Sequence, residues 1–206
     1  MEVQILRWFE SLHNPITDPI MYAITSLGNA GIFWILLTIL MLTVMPKKYR
    51  KVGFTMAIAL ILSLIFCNGI MKNLWQRPRA FWVEGQPFVV GDQFENLYGI
   101  FYGVHDYSFP SGHASASFAA ALAILMWRKK EGIAATILAA LIAFSRLYLT
   151  VHYPSDVLVG LVSGSLYGVI AYFIVKWIIK KFPRANAVFE QEKPWKSLFK
   201  SKKVEE

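Results

Sequence analysis

Apolar segments close to the length of a membrane-spanning helix recur along this sequence. We place five of them, at residues 29–46, 52–72, 113–128, 132–149 and 156–179. A bilayer core about 30 Å thick needs about 20 apolar residues in a helix that rises 1.5 Å per residue. The chain is 56% hydrophobic and only 17% charged, whereas a soluble domain is about one quarter charged. The sequence therefore predicts an all-α membrane protein with a helical bundle of five transmembrane helices, and a soluble bundle is the weaker alternative.

The first 28 residues have a different pattern. Residues 1–15, MEVQILRWFESLHNP, lack the basic start and the continuous apolar stretch of a signal peptide. Their apolar side chains share one broad helical face, which predicts an amphipathic helix at the membrane interface. The interrupted apolar segment that follows predicts a shallow helix or, as the alternative, a sixth span. We therefore divide the chain into interfacial helices at 1–28, a transmembrane domain at 29–182 and a basic tail at 183–206.

Basic residues are concentrated in alternate connections between the spans. Of the 21 lysines and arginines, four lie between the first and second spans, three between the third and fourth, and nine from Lys176 to the end. The positive-inside rule makes this side, with the C-terminus, cytoplasmic. The net charge of +8 therefore indicates contact with anionic membrane lipid and not with nucleic acid. We expect a multi-pass protein of the plasma membrane.

Three clusters of polar residues lie on the opposite, outer side. They are KNLWQRPRAF with Lys72, Arg77 and Arg79, FPSGHAS with Ser111, Gly112 and His113, and SRLYLTVHYPSD with Arg146, His152 and Asp156. Because successive spans alternate in direction, all three clusters reach the same face of the membrane and can converge. Charged groups at membrane depth are costly, so these residues are candidates for a functional site.

The basic residues of these clusters suit a phosphate group. Lysine and arginine provide fixed positive charge and several N–H donors, and the arginine fork matches phosphate oxygens. The sequence Pro110-Ser111-Gly112 should begin a helix, whose free N–H groups and dipole favour an anion. The three clusters together predict a phosphate cradle.

The histidines and the aspartate add reactive groups to this cradle. His152 can attack phosphorus as a nucleophile, and Asp156 can accept the other ring N–H and fix the tautomer. Pro154 argues against a continuous helix from 152 to 156, so Ser155 or Asp156 is predicted near a helix N-cap. His113 can protonate the leaving alkoxide as a general acid. This scheme needs no metal and no other cofactor.

The three clusters resemble the motifs of the type 2 phosphatidic acid phosphatase family. These are membrane lipid-phosphate phosphatases whose active site is shared with the vanadium haloperoxidases. The family's block Ser-Arg, five residues, His, three residues, Asp is complete at 145–156, and Pro-Ser-Gly-His is intact at 110–113. The block Lys, six residues, Arg-Pro keeps Lys72 and Arg79, but Ala80 replaces the proline. The resemblance covers about residues 50–175.

The resemblance implies a role for each matched residue. His152 would form a phospho-histidine intermediate, Asp156 would orient it, and His113 would protonate the leaving group and later activate water. The phosphoryl oxygens would be held by Lys72, Arg79, Ser111, Gly112 and Arg146. Arg77, outside the block spacing, is predicted to be a supporting or headgroup-facing charge.

The predicted function is therefore hydrolysis of a lipid phosphate or diphosphate at the outer face of the membrane. Undecaprenyl diphosphate, phosphatidylglycerophosphate and phosphatidic acid all fit, and an outward-facing site slightly favours the polyprenyl carrier. A lipid phosphotransferase with the same site, a headgroup-binding lipid transporter and a metal-dependent hydrolase are the alternatives.

Three further features each have two interpretations. A stripe of glycines within 160–168 favours close packing inside the chain over a homodimer. The aromatic-rich connection 73–112 suits either an interfacial aromatic belt or a lid over a headgroup. His13 and His105 are predicted to be structural or surface residues, although His105 is next to Asp106 and near enough in sequence to the second cluster to touch substrate.

Overall fold

The structure is a computed structural model that describes residues 1–80, 106–182 and 189. Its regular elements in these ranges are all helical, which confirms the predicted α class for the described part of the chain. The helices are α1 (Glu2–Glu10), α2 (Thr17–Ser26), α3 (Ile32–Thr43), α4 (Arg50–Leu62), α5 (Lys72–Trp75), α6 (Gly112–Trp127), α7 (Lys129–Tyr148) and α8 (Pro154–Lys181). The basic tail apart from Phe189, and most of the aromatic connection with His105, lie outside the described residues.

Three helices in the described ranges are long and apolar enough to cross a membrane. The first is Lys47–Trp75, in which a 3₁₀ turn, α4, the π-helical segment Ser63–Met71 and α5 follow without a break. The others are α7 and α8, with 20 and 28 residues. The pair α2 and α3 would make a fourth if it is one span bent by 41°, and α6 is shorter, with 16 residues. Each predicted span falls on a helix, and the total of five or six spans stays a prediction.

Helix α6 lies at the centre of the bundle and packs against α4, α7 and α8. Its buried face consists largely of alanines and serines, whose small side chains let the neighbouring helices approach closely. A Cβ atom added at Gly160 would lie 2.6 Å from the Ser111 carbonyl oxygen, and one at Gly168 would lie 2.7 Å from that of Ala119. The glycine stripe of α8 is therefore occupied by α6 of the same chain.

The bend between α2 and α3 brings the N-terminal part of the chain to one end of the bundle. Ala30 and Gly31 have φ values of 48° and 67°, in the left-handed region that glycine adopts at low cost. This turn bends the chain by 41° between α2 and α3, and Asn29 lies beside the first turn of α6.

Helix α1 and the segment after it are attached to the end of α7. Leu6 and Phe9 are buried, whereas Trp8 is exposed. His13 Nδ1 lies 2.7 Å from Asp18 Oδ1, and His13 Nε2 lies 2.8 Å from the carbonyl oxygen of Tyr148. His13 is therefore a structural residue, in agreement with the sequence analysis. The location of α1 at a membrane interface stays a prediction.

Candidate active site

The predicted site residues meet at one end of the bundle, around a cavity of about 850 Å³. Six of the eight predicted residues line this cavity: Lys72, Arg79, Gly112, His113, Arg146 and His152. The other two, Ser111 and Asp156, are buried beside it. Ser111 is the N-cap of α6, where its hydroxyl oxygen accepts a long hydrogen bond from the Ala114 amide. Residues from clusters more than 70 positions apart thus form one site.

Three basic side chains of the site are almost completely removed from solvent. Lys72 is 6% exposed, and Arg79 and Arg146 are each 2% exposed. Arg79 Nη1 donates to the carbonyl oxygen of Val151 at 2.6 Å, and Arg146 Nη1 donates to Thr25 Oγ1 at 2.7 Å. Arg146 Nε has no hydrogen-bond partner among the described residues. Buried positive charge is costly without an anion, so this cluster is suited to bind one.

His152 lies between the basic cluster and Asp156. Its Nε2 is 3.3 Å from Arg79 Nη1, and its Nδ1 is 3.5 Å from Asp156 Oδ2. Because an arginine nitrogen can only donate, His152 Nε2 must be the acceptor in the first contact, which places the ring proton on Nδ1. Burial and the charges of Arg79 and Arg146 hold the pKa of His152 well below its ordinary value. The imidazole is therefore neutral near pH 7, with an Nε2 lone pair that suits a nucleophile.

The predicted hydrogen bond from His152 Nδ1 to Asp156 is not formed among the described residues, although the two groups are adjacent, because the carboxylate accepts from other partners. Its Oδ1 accepts from Arg77 Nη1 at 2.7 Å, and its Oδ2 accepts from Ser108 Oγ and from the Tyr153 amide. Helix α8 begins immediately before this residue, with Tyr153 as N-cap and a proline in its first turn. The helix thus does not extend back to His152, and Asp156 lies in its first turn, near the N-cap.

Arg77 has a supporting position. Its Nη1 also donates to Ser155 Oγ at 2.7 Å, and its Nη2 donates to Glu2 Oε2 at 2.7 Å. Its guanidinium carbon lies 3.8 Å from the centre of the Tyr153 ring. The second oxygen of Glu2 accepts from the Ser155 amide at 2.9 Å. Sequence analysis missed this role of Glu2, because the amphipathic pattern of α1 assigned it only to a polar face.

Two asparagines in the site were also missed. Asn29 Oδ1 lies 3.0 Å from His113 Nε2, and Asn68 lines the cavity from the π-helical segment. A Cβ atom added at Gly112 would lie 2.7 Å from Asn68 Oδ1, so a larger residue there would require the Asn68 amide to shift. Neither asparagine carries charge or belongs to the three clusters, and the sequence contains no signal that would have identified them.

The chain immediately before His152 has an unusual conformation. Thr150 has a φ of 54°, which is rare for a β-branched residue, and its buried hydroxyl has no partner among the described residues. Strain of this kind costs about 1–3 kcal/mol and tends to occur at functional sites. It directs the Val151 carbonyl and the His152 ring toward Arg79.

Asp106 lies inside the basic cluster. Its Oδ1 is 2.6 Å from Arg79 Nη2, and its Oδ2 pairs with Lys72 Nζ. Partial burial opposes ionisation, but the charges of Arg79 and Lys72 lower the pKa of Asp106 to about 2. The carboxylate is therefore ionised at neutral pH. Within the described ranges there is no group of three or more histidine, cysteine, aspartate or glutamate side chains arranged to hold a metal ion.

The described part of the chain combines apolar helices long enough to cross a membrane with a buried cluster of lysine, arginine and histidine side chains, the features expected of an integral-membrane phosphatase. The family model of the PAP2 superfamily matches residues 48–180. The chain belongs to this superfamily, which confirms the resemblance that its motifs indicate.

Individual relatives agree with this assignment. The chain is 28% identical over 181 residues to a lipid A 4'-phosphatase of Bacteroides thetaiotaomicron, covering 84% of this chain and 76% of that protein. It is 29% identical over 172 residues to an undecaprenyl-diphosphatase of Bacillus subtilis, covering 82% and 81% of the two chains. A crystal structure of a transmembrane PAP2 type phosphatidylglycerolphosphate phosphatase from Bacillus subtilis has the same fold, with a TM-score of 0.59, 23% identity and coverage of 88% and 85%.

Proposed function

We propose that this membrane lipid phosphatase cleaves a lipid phosphate or diphosphate through a phospho-histidine intermediate on His152. The observation that carries the proposal is the shape of the cavity. Its polar end contains Lys72, Arg79 and Arg146, and its remainder is a groove lined by apolar side chains of α3 and of the helix that contains α4. The groove residues include Ile35, Ile39, Leu42, Leu60, Ile61 and Leu64. An amphiphile with a phosphate headgroup and a hydrocarbon tail matches both parts.

The first chemical step is attack of His152 Nε2 on phosphorus. The N–P bond forms as the P–O bond to the lipid breaks, and the departing oxygen takes a proton from His113. The three basic side chains hold the phosphoryl oxygens, and the nearby Asp156 carboxylate stabilises the positive charge that develops on the imidazole. With a diphosphate substrate, the leaving group is the lipid monophosphate.

The second step regenerates the enzyme. His113 removes a proton from water, the water oxygen attacks the phosphoryl group, and the N–P bond to His152 breaks. The products are inorganic phosphate and the neutral imidazole of His152. Asn29, which accepts from His113 Nε2, holds the ring in a fixed orientation for both proton transfers.

We infer that the site faces away from the cytoplasm, in a plasma-membrane protein whose C-terminus is cytoplasmic. Lys47, Lys48, Lys129 and Lys130 are exposed at the other end of the bundle. The Tyr49 hydroxyl donates to Glu131, so the two connections that contain these lysines are adjacent. The positive-inside rule favours the cytoplasm for that end. The same reasoning supports 29–182 as the transmembrane phosphatase domain, between interfacial helices at 1–28 and a cytoplasmic tail at 183–206.

The relatives named above suggest the lipids to test. Detergent-purified protein should release inorganic phosphate from at least one of undecaprenyl diphosphate, phosphatidylglycerophosphate, phosphatidic acid and lipid A. The His152→Ala variant should lose activity by about 10³-fold or more, as expected for a nucleophile. With a substrate whose phosphate is radiolabelled, wild-type protein should acquire a label that is lost in acid and kept in base, as expected for phospho-histidine. The His152→Ala variant should acquire none. A variant that keeps near-normal phosphate release would disprove the mechanism.

The same assay separates the alternative functions. An added alcohol that becomes phosphorylated would indicate a phosphotransferase, and intact labelled lipid that crosses vesicles without phosphate release would indicate a transporter. Activity that persists in excess chelator and is blocked by vanadate would exclude the metal-dependent hydrolase.

A further inference from the structure

The carboxylate of Asp106 occupies the positions that a phosphate group needs. Its two oxygens contact Lys72 Nζ and Arg79 Nη2, and Arg79 Nε donates to the Asp106 carbonyl oxygen at 3.1 Å. Lys72 and Arg79 are two of the three cations in the proposed phosphate cradle. A bound phosphate and this carboxylate would therefore compete for the same donors.

Asp106 differs from the other aspartate of the site in how firmly it is held. The Asp156 side chain is fully buried and accepts hydrogen bonds from Arg77, Ser108 and the Tyr153 amide. The Asp106 side chain is 55% exposed, and within the described residues its carboxylate bonds only with cradle cations. Asp156 is fixed in place, whereas Asp106 can exchange its partners for water.

Electrostatic repulsion also favours replacement of the Asp106 carboxylate by an incoming phosphate. A phosphate monoester and a carboxylate on adjacent nitrogen atoms repel each other, since both carry negative charge. Arg146, by contrast, lines the cavity, and among the described residues it has no carboxylate partner and its Nε has no hydrogen-bond partner. An incoming phosphate can contact Arg146 first and then replace Asp106 on the other two cations.

We propose that Asp106 acts as an internal competitor for the phosphate cradle and so sets how tightly the site binds phosphate anions. Its carboxylate holds Lys72 and Arg79 in the resting enzyme, is displaced by the phosphoryl group of the substrate, and returns when inorganic phosphate leaves. The competition weakens the binding of every phosphate anion. A lipid substrate also binds through its contacts with the apolar groove, so it still occupies the site at a concentration at which inorganic phosphate, which has no such contacts, does not. This inference rests on the proposed function.

The test compares wild type with Asp106→Asn, which removes the charge and keeps the shape. Inorganic phosphate and vanadate should inhibit lipid hydrolysis by the variant at about tenfold lower concentration, the effect expected when one charged hydrogen-bonding competitor is lost. The kcat/KM values for p-nitrophenyl phosphate and for the lipid substrate should both rise by similar factors, because the carboxylate competes with the phosphate group that the two substrates share. Because the pKa of Asp106 is about 2, this carboxylate stays ionised between roughly pH 5 and 8. For each inhibitor, the ratio of the wild-type inhibition constant to that of Asp106→Asn should therefore be constant over this range.

Glu131→Gln at the opposite end of the bundle is the matched control, since it removes one negative charge outside the site. Its inhibition constants should equal those of wild type. The proposal would be overturned by an Asp106→Asn variant that is folded, as judged from its thermal unfolding curve, but is inhibited by phosphate no more strongly than wild type. Unchanged inhibition would mean that Asp106 does not affect phosphate binding, and weaker inhibition would mean that it is required to order the cations. Wild-type protein that releases no phosphate from any lipid would instead contradict the proposed function.

Discussion

The two ends of the bundle contain the same kinds of basic residue in opposite environments. At the site end, Lys72, Arg79 and Arg146 are buried around a cavity. At the other end, Lys47 and Lys129 extend into solvent. In the sequence both sets flank apolar segments, and their local contexts look alike. Burial, and not position at a helix end, therefore distinguishes the basic residues around the cavity from those at the other end of the bundle.

The ends also differ in what neutralises the charge. At the end opposite the site, Arg128 pairs with Glu131 three residues later. Exposed ion pairs of this kind contribute little to stability because water screens them. Arg79 instead contacts a carboxylate from Asp106 and the His152 ring, both distant in sequence. Contacts of this kind form only when separate helices converge, and they are worth more in a site that excludes water.

The largest effect on activity is expected when one of the buried cations at the site end is removed. Arg79→Ala should lower kcat/KM for the lipid substrate by about 10³-fold, at the upper end of the loss expected when a preorganised donor to the reacting group is deleted. Arg79→Lys should recover only part of this loss, because lysine lacks the fork that contacts both the cavity and His152. Phosphate release by purified protein gives the measurement. Activity within tenfold of wild type in Arg79→Ala would remove this residue from the cradle.

A smaller effect is expected from Arg77, which holds Asp156 without lining the cavity. Arg77→Met should lower kcat by about 10- to 100-fold with little change in KM, as for a positioning residue. The freed Asp156 charge would also act on His152 and raise its pKa from its depressed value. Since the protonated imidazole cannot attack phosphorus, the acid limb of the pH profile should move to higher pH.

One control variant keeps this prediction distinct from a loss of folding. Arg77→Lys preserves the charge near Asp156, so its acid limb should stay at the wild-type pH even if kcat falls. An Arg77→Met variant with a raised KM and an unmoved acid limb would show that Arg77 binds the headgroup and does not position the nucleophile.

The sequence predicted which residues lie around the cavity better than it predicted the residues that contact them. The spacing of the three clusters identified Lys72, His113 and His152, because a strong chemical requirement fixes residue type and spacing together. The partners of these residues come from segments without such a pattern: Asn29 lies in a backbone bend, and Glu2 contacts residues more than 70 positions away. Such contacts depend on how helices pack, and the hydrophobic pattern predicts helices without predicting their relative placement.

The smallest effect should come from the exposed end, and it also tests orientation. Lys129→Cys should hydrolyse lipid within about twofold of wild type, since typical surface substitutions change stability by less than about 0.5 kcal/mol. Cys67 is buried, so a membrane-impermeant maleimide should report on position 129 alone. We expect no labelling in intact cells and full labelling after lysis, because the positive-inside rule assigns this end to the cytoplasm. Labelling of intact cells would show that the orientation is the reverse of the one proposed. Loss of activity would show that an exposed basic residue at this end is also needed for hydrolysis.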